Sequence, residues 1–453
     1  MAPESKFSRR RRKVLALAPA VVASPIASSA HANADDSGQL ARWLRASAQP
    51  IHEYSSAAAR LAERLVDVRV VGIGEGTHGT HEDFAFKAAL IVELARTGTI
   101  DTVAFEASRR AGVALNDFVA AKSADSAAAA MRKGLYSIWH CKEVEQLLVS
   151  LRTLAQSRQR PIQIIGLDVQ AAANDTSFAL SSAAKLGLLD LELERDLAGL
   201  SSASHPGKAV AAMQSEEHAR VRRALKGLAL ALSAQRDFNA DAEGGFLAAV
   251  AAEHGFELLL TSHADTVADA SASMIAVRDR GMAAIALEVA RKGSVAIWAH
   301  NGHVDRQTPM ALGALPMGYH LDKSLGPAYA VVKFAWADGS IHAIDMRAAL
   351  GASATSRPSF RVFRAPNNRP GSIGRILLDA GLGDTWIDLR ALPNVGWAQE
   401  FLARSVTWSS IGYAFDERAW ELAGSHPSHP VGRGTDVVVF FPVISPSHRF
   451  EAL

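Results

Sequence analysis

The chain has 453 residues, 49% hydrophobic and 21% charged, enough apolar material for a packed core and far from the composition of a disordered protein. A formal net charge of +2 offers no bulk basic surface for nucleic acid, and no aromatic-basic motif supplies one. The single cysteine, Cys141, excludes an intramolecular disulfide.

Residues 1–32 read as a twin-arginine-type signal peptide. Ser8–Lys13 is SRRRRK, an apolar run follows over Val14–Ile26, and Ala30-His31-Ala32 offers a small-residue cleavage site. That run is shorter than the roughly 20 residues a bilayer span needs, and no later stretch reads as a span. The expectation is an exported protein, periplasmic or secreted. Asp36–Val66 is patterned as helix, broken at Pro50, whose ring and missing N–H oppose a continuous helix.

Val68–Ile73 reads as a buried β-branched strand. It breaks into a Gly-rich turn carrying Glu75, Thr77, His78 and His81, then an amphipathic helix with Phe84, Ala88, Ile91, Val92 and Ala95 on one face. Further strands are expected at Ile100–Glu106 and Ile162–Asp168, each ending on an acid, with helices between, which is the βαβ signature of a parallel sheet. From Asn174 to Arg291 the period is helical, with loops near Ser201–Pro206 and Asn239–Gly245. Strands return at Ser294–Ala299, Ala328–Phe334, Ile341–Ile344 and Val437–Val443, while Gly351–Pro370 reads as a surface loop. The expected fold is α/β: a largely parallel central sheet flanked by helices. Residues 33–173 and 292–453 would form the core, and 174–291 a mostly helical insertion closing as a lid over the carboxyl-terminal rim of the strands.

Chemistry concentrates on that rim, where open α/β sheets hold their ligands. Glu75 and His78, three residues apart, can pair a base with the carboxylate that orients it. His300-Asn301-Gly302-His303 follows a strand and can supply metal ligands, proton donors or substrate anchors. Glu106 and Asp168 end neighbouring strands, so six titratable groups converge. Gly74 to Gly79 is formally G-x-G-x-x-G, but Glu75 inside that turn would repel a pyrophosphate. There is no G-x-S-x-G elbow and no H-E-x-x-H. Cys141, beside Trp139, is expected to be buried rather than nucleophilic. Without an evident Ser or Cys nucleophile, attack by histidine-activated water is the economical chemistry.

The ordered set GEGTHGTHEDF (Gly74–Phe84), AFEA (Ala104–Ala107), IGLD (Ile165–Asp168), VRDRGMA (Val277–Ala283), WAHNGHV (Trp298–Val304), LPMGYHL (Leu315–Leu321) and TDVVVFFPV (Thr435–Val443) resembles the erythromycin esterase family. The resemblance implies an α/β core with a helical region closing over a broad cleft, and hydrolysis of a macrocyclic lactone or related small-molecule ester. By position, His78 would be the general base, Glu75 its acidic partner, and Glu106 a holder of the water or the histidine. His300 and His303 would flank the ester, and Arg278 would add a charged contact. Lys87, His81, Asp168, Asp279 and Trp139 would support or bind. The resemblance implies no cofactor. A divalent metal is the mechanistic alternative, with Glu75, His78, His300 and His303 as ligands. The alternative function is a non-enzymatic haem- or metal-binding protein that uses the same rim.

Overall fold

The computed structural model describes residues 34–157, 161–262, 267–306, 314–346, 359–408, 410–421 and 428–450. The segment read as a signal peptide lies outside them. Twelve strands are described: β1 Gln49–Pro50, β2 Val70–Ile73, β3 Thr102–Ser108, β4 Gln163–Asp168, β5 Val295–Trp298, β6 Tyr329–Asp345, β7 Phe360–Arg364, β8 Thr385–Asp388, β9 Ser405–Thr407, β10 Ala414–Phe415, β11 Ser428–Pro430 and β12 Val437–Ile444.

The main sheet runs β1-β8-β12-β6-β2-β5-β3-β4. Along this path every pairing from β12 to β4 is parallel, and the β8 and β1 edge is antiparallel. Parallel strands covered on both faces read as continuous apolar runs, which is why β2, β3 and β5 are so legible in the sequence. Val71, Ile73, Val103, Phe105, Ala296 and Trp298 point to one face. There they meet α2 (Tyr54–Ala62), α3 (His81–Arg96), α4 (Arg109–Val119), α5 (Ala127–Arg132) and α6 (Lys142–Ser157). Helix α1 (Ala34–Ser47) instead places Leu44 in a smaller core with Ile387, Val438 and Phe440.

The alternate residues Val70, Ala104, Val295, Ile297, Tyr329 and Val331 face the other way. They pack under the helices of the insertion, which therefore form a structural layer of the domain. These are α7 (Ala172–Lys185), α8 (Leu191–Ser201), α9 (Pro206–Ala212), α10 (Ser215–Ser233), α11 (Ala240–Thr261) and α12 (Val267–Ala290). Helix α12 matters most for the site, because it carries Arg278 and Asp279 to the rim before the chain enters β5.

Three local expectations need correction. Asn239–Gly245 is not a loop: Asn239 caps α11, accepting from the N–H groups of Asp241 and Ala242, and the helix continues through Gly244 and Gly245. Within Gly351–Pro370, Phe360–Arg364 is strand β7, antiparallel to the outer part of β6; residues 351–358 lie outside the described residues. The expected strands Ala328–Phe334 and Ile341–Ile344 are one strand, β6, which passes through Gly339 at a φ of 133°. That backbone conformation is open to glycine, so a residue that looks like a strand breaker carries the strand onward.

Candidate active site

The turn after β2 is held by contacts a larger residue would destroy. A Cβ on Gly74 would run into Asn301, and one on Gly79 into the His342 backbone. The Gly76 N–H donates to Asp83 Oδ2 at 2.9 Å. Burial pushes Asp83 up to about 7. This donor is one that a phosphate cradle would need, so the turn is not arranged for a dinucleotide.

Glu75 is fully buried and has both oxygens engaged. His78 Nδ1 lies 2.6 Å from Oε1, the Trp139 indole N–H donates to Oε1 at 3.1 Å, and Lys87 Nζ donates to Oε2 at 2.6 Å. Lys87 also donates to the Ala299 carbonyl at 3.0 Å and stands 4.3 Å from the centre of the Trp298 ring. A fully buried lysine is tolerable only with such pairing; burial lowers its pKa and Glu75 opposes that. With Nδ1 donating to Glu75, the basic nitrogen of His78 is Nε2, and His78 is the one member of the Glu75, Lys87 and His78 group with any exposure, at 9%.

Glu106 organises the second half. One oxygen accepts the His300 backbone N–H at 3.0 Å. The other accepts Arg278 Nη2 at 2.8 Å and lies 3.0 Å from His303 Nε2. Arg278 also donates to both oxygens of Asp168, at 2.9 and 3.2 Å, and Asp168 accepts the Tyr136 hydroxyl at 2.7 Å. His303 Nδ1 is 2.7 Å from Asp279, which also accepts the Met317 N–H at 2.7 Å. Arg278 and Asp279, adjacent on α12, thus grip the two sides of the same cluster. Burial alone would raise Glu106, but His303 and Arg278 hold it well below the usual carboxylate range.

The two histidines of the H-N-G-H motif are opposites. Burial opposes charge on His303, yet Asp279 and Glu106 outweigh it and push it up to about 10, so it is an imidazolium. His300 caps α13 (Asn301–Val304), its Nδ1 accepting the Gly302 N–H at 3.2 Å. Burial, followed by the neighbouring His78 and His303, drives it well below 6.5, so it is neutral. Its Nε2 is buried and has no hydrogen-bond partner, and its ring centre is 4.9 Å from that of His78. The site therefore sets the base nitrogen of His78 beside a neutral His300 imidazole.

Of the residues read from the sequence, Glu75, His78, Lys87, Trp139, Glu106, Asp168, Arg278, Asp279, His300 and His303 form this continuous network. His81 stands apart from it, 2.7 Å from Glu143. Cys141 is fully buried, and burial together with Glu143 pushes its thiol well up, as suits a packing residue. Sequence reasoning missed Tyr136 and Gln170, which fix Asp168, the latter donating at 2.7 Å. Neither lies in a motif, and only their positions around the strand ends reveal them. Both nitrogens of His303 and both oxygens of Glu75 are committed, and the cations of Lys87 and Arg278 stand within the network, so the four candidate metal ligands do not converge on a common point. Among the described residues, the group with ligand spacing is His81, Glu143 and His448.

The charge on His303 has a measurable signature. Its folded pKa lies above the ordinary 6.5, so its contribution to stability is complete below about 6.5 and is lost as pH rises toward about 10. At about 1.4 kcal/mol per unit, the effect is several kcal/mol. Asp279→Asn keeps the acceptor for Met317 but removes the charge. The melting temperature of D279N should fall less between pH 6 and pH 10 than that of the unmodified protein. Parallel curves would mean that His303 is not charged by Asp279.

A profile of the erythromycin esterase family matches residues 99–444. The matched span begins after the Glu75–His78 turn, whose place in the site therefore rests on the geometry above. YbfO of Bacillus subtilis (strain 168), a provisionally named hydrolase, is 28% identical over 144 residues, a match that spans 30% of this chain and 30% of that protein. Among solved structures, a Bacillus cereus protein superposes with a TM-score of 0.76 at 19% identity, covering 92% of this chain and 99% of that one. A succinoglycan biosynthesis protein gives 0.74 at 18% identity over 92% and 100% of the two chains. The erythromycin esterase EreC, as a mutant in an open conformation, gives 0.62 at 17% identity over 86% and 94%. At these identities the structural matches speak for the fold.

Proposed function

The chain belongs to the erythromycin esterase family, and from that premise we propose that it opens an ester, in a macrolactone or a related small molecule, with water activated by His78. The observation that carries this reading is the pairing of His78 Nδ1 with Glu75 at 2.6 Å, beside a neutral His300 whose Nε2 has no partner. In the proposed reaction His78 Nε2 takes a proton from water as the water oxygen attacks the carbonyl carbon. Glu75 holds the tautomer and stabilises the imidazolium that forms. The His300 N–H donates to the developing oxyanion, a role in which a pre-aimed donor in a dry site is most effective. The His303 imidazolium and Arg278 add positive potential on the same rim. Collapse breaks the acyl C–O bond, and His78 returns its proton to the alkoxide. The products are an acid and an alcohol, with one water consumed.

The reading is metal-free, because Glu75 is spent on His78, Trp139 and Lys87, and both nitrogens of His303 on Asp279 and Glu106. It also has no serine nucleophile. Ser410 Oγ is 3.4 Å from His300 Nδ1, but that nitrogen already accepts the Gly302 N–H and belongs to a histidine held neutral. Ser410→Ala should therefore retain turnover within a few-fold. The segment over residues 1–32 supports export.

The test is mass spectrometry of macrolactones and simpler esters incubated with purified protein, with and without chelator. A mass gain of one water that survives chelation supports the proposal. A gain abolished by chelator would transfer the chemistry to a metal. A Soret band or bound metal in a protein that hydrolyses none of them would favour a binding protein instead.

A further inference from the structure

A second constellation lies outside the proposed catalytic network and is not used by it. His81 opens α3, Glu143 sits in the first turn of α6, and His448 lies in the segment that follows β12. The three residues are far apart in sequence and brought together by the fold. His81 Nδ1 is 2.7 Å and His448 Nδ1 2.8 Å from the same oxygen, Glu143 Oε1. The two imidazole rings are 4.6 Å apart between centres. One ligand atom from each residue can be chosen so that all lie within 4.8 Å of one another. Glu143 is 2% exposed, and its second oxygen, Oε2, is buried with no hydrogen-bond partner. Oε1 also accepts the His448 backbone N–H at 3.0 Å, so the carboxylate is held in place facing both imidazoles.

We propose that His81, Glu143 and His448 bind a zinc ion, through Nδ1 of each imidazole and the Glu143 carboxylate, with water completing the coordination. Two nitrogen donors and one oxygen are a ligand set for zinc rather than for calcium or magnesium, which take oxygen. Zinc ligands at about 2.0–2.2 Å in a tetrahedron stand roughly 3.3 Å from one another. The nitrogen-to-oxygen separations of 2.7 and 2.8 Å therefore need to open by about half an ångström. Glu143 is fixed, but the side chains of His81 and His448 are 29% and 63% exposed and can move that far. Binding replaces the protons now shared with the carboxylate.

The position gives such an ion a structural task. The segment bearing His448 is already stitched to the catalytic turn: Ser447 N donates to Gly79 O at 3.0 Å, and His81 N to Ser445 O at 2.8 Å. On its other side, Lys142 N donates to His448 O at 2.9 Å and Phe450 N to His140 O at 3.1 Å. A metal here would clamp the turn that carries Glu75 and His78 to the stretch that carries Trp139, whose indole holds Glu75. The clamp would act on stability and on the rigidity of the base, without entering the reaction.

The test uses untagged protein dialysed against chelator and then titrated with zinc chloride by calorimetry, with melting curves taken in parallel. The expected result is one zinc per chain and a rise in melting temperature that magnesium does not produce. His448→Ala, at an exposed position that leaves the core untouched, should weaken zinc binding at least tenfold and abolish the zinc-dependent rise. Glu143→Gln should do the same. Failure of the unmodified protein to bind zinc would overturn the proposal, as would equal affinity in H448A. Zinc retained by H448A but lost by His78→Ala would place the ion in the catalytic network and would likewise refute it. Hydrolysis by the zinc-free protein is read separately, so failure here leaves the esterase reading standing.

Discussion

His78→Ala is expected to lower kcat by roughly 10²–10⁴-fold, the usual contribution of a positioned general base, with little change in melting temperature. The reasoning separates chemistry from folding. Glu75 would lose one of three partners but keep the Lys87 ammonium at 2.6 Å and the Trp139 indole at 3.1 Å, so its buried charge stays compensated. The His78 ring sits at the solvent edge of the network, and trimming it opens the site rather than a sealed cavity. Glu75→Gln is the instructive comparison. It also damages catalysis, but it strands Lys87, which is fully buried, and should cost stability as well. The decisive pair of measurements is ester hydrolysis and thermal unfolding on both variants. An H78A protein that hydrolyses at near the unmodified rate would eliminate His78 as the base, and with it the proposed mechanism.

Arg278→Leu should have the largest effect on stability, about 3–5 kcal/mol, as expected when a buried ionic cluster loses one member. Arg278 donates to Glu106 and to both oxygens of Asp168, and both carboxylates are essentially inaccessible to solvent. Burial on its own raises both, and Arg278 is a principal reason that both end below their ordinary values. The sign follows from that depression: the pair contributes stability above the ordinary carboxylate range, and it is lost as pH falls through the lowered folded values. In R278L both carboxylates shift upward, so acid unfolding should begin at a higher pH. Lysine should rescue poorly, because one ammonium cannot span two carboxylates as a planar guanidinium does. Denaturant unfolding at neutral pH, repeated toward acid, tests both statements. An R278L protein as stable as its parent at neutral pH would show that the cluster is not a structural one.

Much of the site was legible because each of its parts is local. Glu75, Glu106, Asp168 and His300 all follow or end apolar strand runs, and a run that stops at a polar residue is visible without any knowledge of the fold. Asp279 and Arg278 were marked by their motif, yet nothing in the sequence says that one grips His303 while the other grips Glu106. The protonation states of His300 and His303 were equally hidden. They stand three residues apart in one motif, and one is neutral and the other charged because burial acts on both imidazoles but only that of His303 is paired with Asp279 and Glu106. The loop assigned to Asn239–Gly245 failed because paired glycines usually break helices, whereas here Gly245 lets the helix pack close against Ser182.

By itself, the sequence determined the parallel α/β core, the helical character of the insertion, and which polar residues terminate the strands. Periodicity and strand punctuation are short-range properties, set by neighbours a few positions apart. Only the tertiary structure decided the partnerships. His81 sits in the catalytic motif by sequence, yet it meets Glu143 at a separation of 62 residues, and His448 reaches the same carboxylate across 305. Such contacts are set by the order of strands in the sheet and by the path of the segment after β12, neither of which leaves a local trace. That is why His78 and His81, three residues apart, keep separate partners.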